Sequence, residues 1–183
     1  SSSAASDVYK RQELVITNYG LEGNAIYAVS PEIRSQFEST AKAIIEIDFK
    51  PSLKIEKIRA EIQDSTLNIG ETLKKKLKLS APVIGLLKER LDKKSYINPR
   101  ILAKTIKSFP IELIGVSPID EAISTVGGIE LEELDKSFQL KALLSNYCLG
   151  EMLDWDAPTG GYLLQACFSI GMSLADKLNG ELD

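Results

Sequence analysis

Apolar residues in the first half of this chain recur at two different periods, and the switch between them outlines the architecture. Over residues 42–49, Ala43, Ile45, Ile47 and Phe49 alternate with Lys42, Glu46 and Asp48. That period of two predicts a half-buried strand. From 52 to 108 the period becomes helical: Ile55, Ile58 and Ile62 recur at three- and four-residue spacing, as do Ile69, Leu73 and Leu77, then Val83, Leu87 and Leu91. A further helix is predicted to begin at Asn98-Pro99. Ser52, Ser80 and Asn98 stand at expected N-caps, where a side-chain oxygen accepts from a free first-turn N–H, and Pro82 and Pro99 suit first turns. The prediction is a compact helical subdomain with one wet face.

The flanking segments are shorter and more varied. Residues 13–17 read as a strand expected to pair in the same sheet as 42–49, and the Gly20 and Gly23 punctuation admits a helix over 24–37, interrupted at Ser30-Pro31. Phe109-Pro110 marks a boundary, followed by a strand at 111–116 and a connection at 117–122 with a helical turn. Beyond it, 125–131 reads as a glycine-bearing turn into a strand, 137–140 as its short partner, and 145–149 as a buried strand. Residues 162–178 are apolar on nearly every face, so this helix and the 145–149 strand are expected to lie inside a larger body. The mixture of strands and helices assigns the chain to the α/β class, or α+β over this segment alone.

Composition narrows the function classes. With 183 residues, 44% apolar and 26% charged, the chain is long and apolar enough to bury a core. Its net charge of −4 gives no electrostatic reason to expect nucleic acid or an anionic membrane, so neither is expected as a partner, and Lys74-Lys75-Lys76 reads as a solvated helix face. The longest apolar-rich run, 162–175, falls short of the ~20 residues that span a bilayer. A soluble, cytoplasmic protein is expected. Cys148 and Cys167 are the two cysteines, with no Cys-x-x-Cys spacing, so both read as buried free thiols. The absence of histidine removes Ser-His and Cys-His nucleophile pairs and the usual zinc ligand sets. Residues 1–12 lack periodicity and read as a non-native leader.

The segment richest in candidate chemistry joins the 145–149 strand to the last helix: Gly150-Glu151-Met152-Leu153-Asp154-Trp155-Asp156-Ala157-Pro158-Thr159-Gly160-Gly161-Tyr162-Leu163-Leu164-Gln165-Ala166. Thr159 is placed to cap the helix. Gly160 and Gly161 remove the Cβ atoms that would keep another molecule from the first helical N–H groups. Unpaired N–H groups and the helix dipole together favour an electron-rich ligand at that point. Singly, each residue also has a structural explanation. Asp154 and Asp156 suit a helix N-terminus, Tyr162 and Gln165 suit packing, and paired glycines suit turns.

Taken together with Thr125-Val126-Gly127-Gly128-Ile129 and with Thr17-Asn18-Tyr19-Gly20-Leu21-Glu22-Gly23, the run from Gly150 to Ala166 resembles the HI0933-like flavoproteins, which are NAD(P)/FAD-dependent oxidoreductases. The resemblance covers most of the chain after Gln12. It implies an inserted strand-plus-helical domain over 13–116, with the helices at 52–108. The C-terminal portion of a Rossmann-like FAD-binding domain is implied over 117–183. The dinucleotide fingerprint that opens the family, Gly-x-Gly-x-x-Gly after a strand, is absent. The expectation is therefore a fragment whose N-terminal half, its partner in the same polypeptide, lies upstream. Asn18 and Leu164 stand where the commoner family pattern has histidine and asparagine, so no chemistry leaning on that histidine is expected.

The resemblance also implies the ligand and its contacts. FAD is the expected cofactor, with NAD(P) a candidate second one and a small molecule the substrate. The helix start at Gly160, Gly161 and Tyr162, with Leu163 and Gln165 in its first turns, would aim its N–H groups at the negative charge of reduced flavin. Glu151 or Asp154 would accept from ribityl or ribose hydroxyls next to Gly150. Thr125, Gly127 and Gly128 would bring backbone close to the isoalloxazine or the substrate. No residue stands out as a general base. The alternative reading is a non-catalytic interaction module built on the 52–108 helices.

Overall fold

The structure, a computed structural model, describes residues 13–122, 124–157 and 160–180. They divide between two compact units, one within Ser1–Glu22 and Glu32–Gly115, the other within Gly23–Pro31 and Val116–Asp183. Helices and small sheets are mixed, as the α+β reading expects.

The first elements among the described residues are β1 (Val15–Ile16) and β2 (Leu21–Glu22), a hairpin paired antiparallel with Ile16 opposite Leu21. Its turn is closed by Thr17, whose N–H donates to the Gly20 carbonyl at 2.9 Å and whose Oγ1 accepts from the N–H groups of Tyr19 and Gly20 at 3.2 Å each. Gly23, at φ +97°, turns the chain into α1 (Asn24–Tyr27). The helix expected over 24–37 is two pieces, since α1 ends before α2 (Ser30–Thr40) begins with Pro31 in its first turn. Proline lacks an N–H and its ring clashes with the carbonyl four residues back, so it starts a helix more readily than it continues one.

Strand β3 (Ala43–Ile47) carries the alternation read from the sequence, with Ala43 fully buried and Ile44 and Glu46 exposed. Its partner differs from the expected one. It pairs antiparallel with β4 (Phe109–Leu113), from Ala43 opposite Leu113 to Ile47 opposite Phe109, whereas β1 pairs with β2. The short turn between β1 and β2 favours pairing of these neighbours over pairing with a strand distant in the chain. The boundary expected at Phe109-Pro110 lies inside β4, where Pro110 sits opposite Glu46 in a two-stranded sheet whose outer edges need no donor. Lys42 and Glu112 pair at 2.6 Å beside it.

Between these strands runs the helical bundle: α3 (Ile55–Gln63), α4 (Ile69–Glu71) continuing into a π turn at Thr72–Lys76, α5 (Ala81–Arg90), α6 (Lys93–Ile97) and α7 (Pro99–Lys107). The apolar spacing of the sequence becomes its core, with Ile58, Leu73, Leu77, Leu87, Leu102 and Ile106 all but inaccessible. Each such side chain stabilises the fold by about 1.5–3 kcal/mol. Buried Thr72 is satisfied through Oγ1, 2.7 Å from Ser65 Oγ and 3.0 Å from the Asn68 carbonyl. Asn98 caps α7 as expected, accepting from Arg100 and Ile101 N–H groups. Ser80 occupies the N-cap of α5 but makes no side-chain cap bond. Ser52 is no cap at all, because the chain turns once more, with Leu53 N–H on the Lys50 carbonyl, and α3 begins after Lys54. Lys107 fastens that turn by donating Nζ to the carbonyls of Lys50 and Leu53 while contacting Asp48.

The second unit is built from short pieces. Single 3₁₀ turns occupy Ile119–Glu121, Leu131–Glu133 and Gly150–Met152, followed by α8 (Tyr162–Gly180). The strands expected at 125–131, 137–140 and 145–149 are reduced to isolated bridges, Ile129 to Leu153, Leu134 to Leu140 and Gln139 to Tyr147. Residues 145–149 form no strand, since Ser145 has φ 61° and leaves the extended region, although Cys148 is buried as expected. Cys167 is half-buried and also a free thiol. The core here is small, Leu134, Cys148 and Leu153 with Ile129, Phe138, Leu140, Trp155 and Ile170 against them. The buried setting expected for α8 is not found within this chain: Tyr162, Leu164, Phe168 and Met172 are each about 60–70% exposed. Among the described residues no helix is long and apolar enough to cross a membrane.

Candidate functional site

Two segments singled out in the sequence meet in the second unit. The N–H of Ile129 donates to the Met152 carbonyl at 2.9 Å, and the N–H of Asp154 donates to the Ile129 carbonyl at 2.9 Å. The Thr125–Gly128 stretch therefore runs alongside Gly150–Asp154, anchored by Leu153, which is 2% exposed. Gly128 makes the approach possible. A Cβ placed there would stand 2.5 Å from the Met152 carbonyl oxygen and 3.0 Å from the carbonyl carbon of Leu153, both backbone atoms that cannot swing aside.

A side chain crosses the same junction. Glu151 Oε1 accepts from Ser124 Oγ at 3.0 Å and from the Thr125 N–H at 3.3 Å. One carboxylate oxygen thus holds the start of the first segment, and Oε2 makes no further hydrogen bond among the described residues. Ser124 is the participant that sequence reasoning missed. Its only trace there is a hydroxyl beside Thr125, which nothing local connects to Glu151.

Gly150 turns the chain at φ +75°, with Cys167 Sγ of α8 3.6 Å from where its Cβ would be. This places α8 against the 3₁₀ turn at Gly150–Met152. Gly127 (φ +88°), Gly160 (φ +94°) and Gly161 (φ +85°) occupy the left-handed region, and among the described residues no heavy atom lies within 4 Å of a Cβ built on any of them. Gly161 accepts the N–H of Gln165 at 3.0 Å, so the amides ahead of it start α8 without intrahelical acceptors. Gln165 Nε2 donates along the helix to Ser169 Oγ at 3.2 Å, Leu163 is half-buried and Tyr162 is 61% exposed. Asp154 is exposed, its carboxylate without a hydrogen bond among the described residues. Thr159 lies outside the described residues.

The structure thus gathers Thr125, Gly127, Gly128, Gly150, Glu151 and Asp154 into one junction, with α8 crossing it at Cys167. Among the described residues no hydrogen bond ties Gly160 or Gly161 to that junction. The junction is a backbone-lined, glycine-rich surface with acidic acceptors. Main-chain donors and carboxylate acceptors are groups that can hydrogen-bond a polar organic ligand.

The sequence matches the family model of the HI0933-like protein barrel and H2TH domain over residues 2–124. The chain belongs to the HI0933-like family, a flavoprotein oxidoreductase-type family. The matched span takes in both small sheets and the whole helical bundle.

Proposed function

We propose that this chain supplies one wall of the flavin site of an FAD-dependent oxidoreductase that acts on a small organic substrate, with NAD(P) or another acceptor as redox partner. The observation that carries the reading is the junction of Thr125–Gly128 with Gly150–Asp154, closed by the Glu151 carboxylate and permitted by Gly128. The residues present fit the group. Open left-handed glycines at 127, 160 and 161 let a flat ring or a chain of hydroxyls reach backbone N–H groups. Glu151 Oε2 and the Asp154 carboxylate have acceptor capacity for ribityl or ribose hydroxyls.

When bound, the flavin supplies hydride and electron transfer. The chain's own residues orient it and set its electrostatics. The amides at the start of α8 favour negative charge and so the reduced form. Glu151 serves both the fold and the ligand, with Oε1 spent on Ser124 and Thr125. The remainder of the pocket, including the adenosine side, comes in this reading from polypeptide upstream.

The test is a visible absorbance titration with FAD of the protein extended upstream through its dinucleotide fingerprint. Yellow protein, or saturable binding at micromolar FAD or below, on the order of −8 kcal/mol, is expected. Protein that purifies colourless and takes up no added FAD overturns the reading. Glu151→Gln sharpens it, because the amide keeps an oxygen for Ser124 and Thr125 but loses the second acceptor. Affinity should fall about tenfold, the effect of one charge-assisted hydrogen bond of about 1.5 kcal/mol.

A further inference from the structure

The net charge of −4 conceals two opposed regions. Residues 52–108 carry 14 Lys and Arg against 6 Asp and Glu, a net of +8, while residues 116–183 carry 3 against 12, a net of −9. Six of these cations, Lys88, Arg90, Lys93, Lys94, Arg100 and Lys104, lie over 88–104 with only Glu89 and Asp92 among them. All six cations are exposed, and among the described residues none forms an ion pair. Elsewhere on the bundle Lys57, Lys75 and Lys107 are neutralised by Glu61, Glu71 and Asp48. Asp92 is itself engaged, accepting the Ser95 N–H at 2.8 Å. The six cations sit on α5, α6 and α7, helices that pack against one another.

We propose that the exposed cations of α5, α6 and α7 dock double-stranded nucleic acid through its phosphates, without reading sequence. Three features select that partner. Protein interfaces are depleted of lysine and centred on apolar anchors, whereas this run offers only Ile97 and Ile101 as exposed apolar side chains. Insertion into an anionic membrane needs an apolar helix face, and that of α7, Leu102, Ala103 and Ile106, is spent in the core. Single-stranded nucleic acid is held by stacking on exposed aromatics, and the one aromatic here, Tyr96, packs against the core with its hydroxyl buried. What remains is an array of unpaired, flexible cations, which suits the regular phosphates of a duplex. The inference does not rest on the flavin reading, since it concerns a different surface.

The test is fluorescence anisotropy of a labelled duplex of about 20 base pairs titrated with the full chain from about 25 to about 200 mM salt. Binding should lie near 10⁻⁵ M at the low-salt end and weaken as salt rises, log K falling with log salt at a slope of about −0.9 per neutralised phosphate. The variant Lys93→Gln, Lys94→Gln, Arg100→Gln, Lys104→Gln should flatten that slope by about 3.6. A control that removes as many exposed cations elsewhere, Lys54→Gln, Arg59→Gln, Lys74→Gln, Lys78→Gln, should change it by less than about 1. Lys93→Gln with Lys94→Gln alone, a milder change, should flatten it by about 2. No binding at low salt, equal losses in patch and control variants, tighter binding of a single strand, or equally tight binding of polyglutamate would each overturn the proposal.

Discussion

Replacing Gly128 with alanine tests whether the junction exists as described. The added Cβ would stand 2.5 Å from the Met152 oxygen, 3.0 Å from the Leu153 carbonyl carbon and 3.1 Å from that of Met152. Relief requires the two segments to part, which sacrifices the 2.9 Å bonds from Ile129 N–H to Met152 and from Asp154 N–H to Ile129. Overpacking of this kind costs about 1–3 kcal/mol and each lost hydrogen bond about 1 kcal/mol, so roughly 3 kcal/mol is expected because the two terms overlap. Trp155, the only tryptophan, packs against the Leu134, Cys148 and Leu153 cluster, so its fluorescence reports this unit alone. With a urea m-value near 1 kcal/mol/M for so small a unit, the midpoint should fall by about 2 M or more. Gly127→Ala is the comparison. It meets no atom, and only its φ of +88° is strained, at about 1–2 kcal/mol. If Gly128→Ala unfolds at the wild-type midpoint, or no earlier than Gly127→Ala, the close approach is not there.

Three further outcomes follow from the helical bundle. Tyr96 buries a hydroxyl that has no hydrogen-bond partner among the described residues, so Tyr96→Phe should raise stability by about 1 kcal/mol, seen as a higher urea midpoint by circular dichroism; a loss of stability would mean that the hydroxyl is satisfied. Burial also raises the Tyr96 pKa above its ordinary 10.0. The native state then holds its proton after the unfolded chain has lost it, so stability present below pH 10 drains away as pH rises, and the phenylalanine variant should lose less on that alkaline limb. Asn98→Ala removes the acceptor for two first-turn N–H groups of α7 and should cost about 1 kcal/mol in the same assay, with an unchanged midpoint counting against the cap. The backbone N–H of Ser95 holds the Asp92 carboxyl below its ordinary 3.8. A depressed folded pKa means that the cap contributes fully above about pH 4 and is lost as pH falls through the folded value, so Asp92→Asn should show a smaller drop in midpoint between neutral and acid pH.

Local periodicity carried the bundle well. Of the nine positions that the spacing marks, Ile58, Ile62, Leu73, Leu77, Val83 and Leu87 are buried, Ile69 and Leu91 are half-buried, and Ile55, in the first turn of α3, is exposed. Spacing could not announce the π turn at Thr72–Lys76, because Ile69, Leu73 and Leu77 at four-residue intervals suit a slightly wider turn as well as an α one. Nor could it choose the partner of β3. The alternation of Ala43, Ile45 and Ile47 says which face is buried, but pairing with β4 is a contact between distant parts of the chain, set by the bundle that folds between them. Charge shows the same limit. A whole-chain sum cancels a basic bundle against an acidic second unit, and among the described residues the cations of 88–104 are exposed and form no ion pair.

The site obeys a different logic from the helices around it. Helix caps and apolar spacing act over three or four residues, whereas Glu151 reaches Ser124 across 27 positions and the backbone of Ile129 pairs with that of Leu153. Contacts of that range leave almost no periodic trace. What they do leave is a residue type: where one backbone must lie 2.5 Å from the place a Cβ would occupy, glycine alone is accepted. Gly127 and Gly128 stand side by side with different reasons, one for its φ of +88° and the other for the Met152 carbonyl against it. The paired glycines could therefore be picked out as candidates from sequence, while the reason for each is supplied only by the fold.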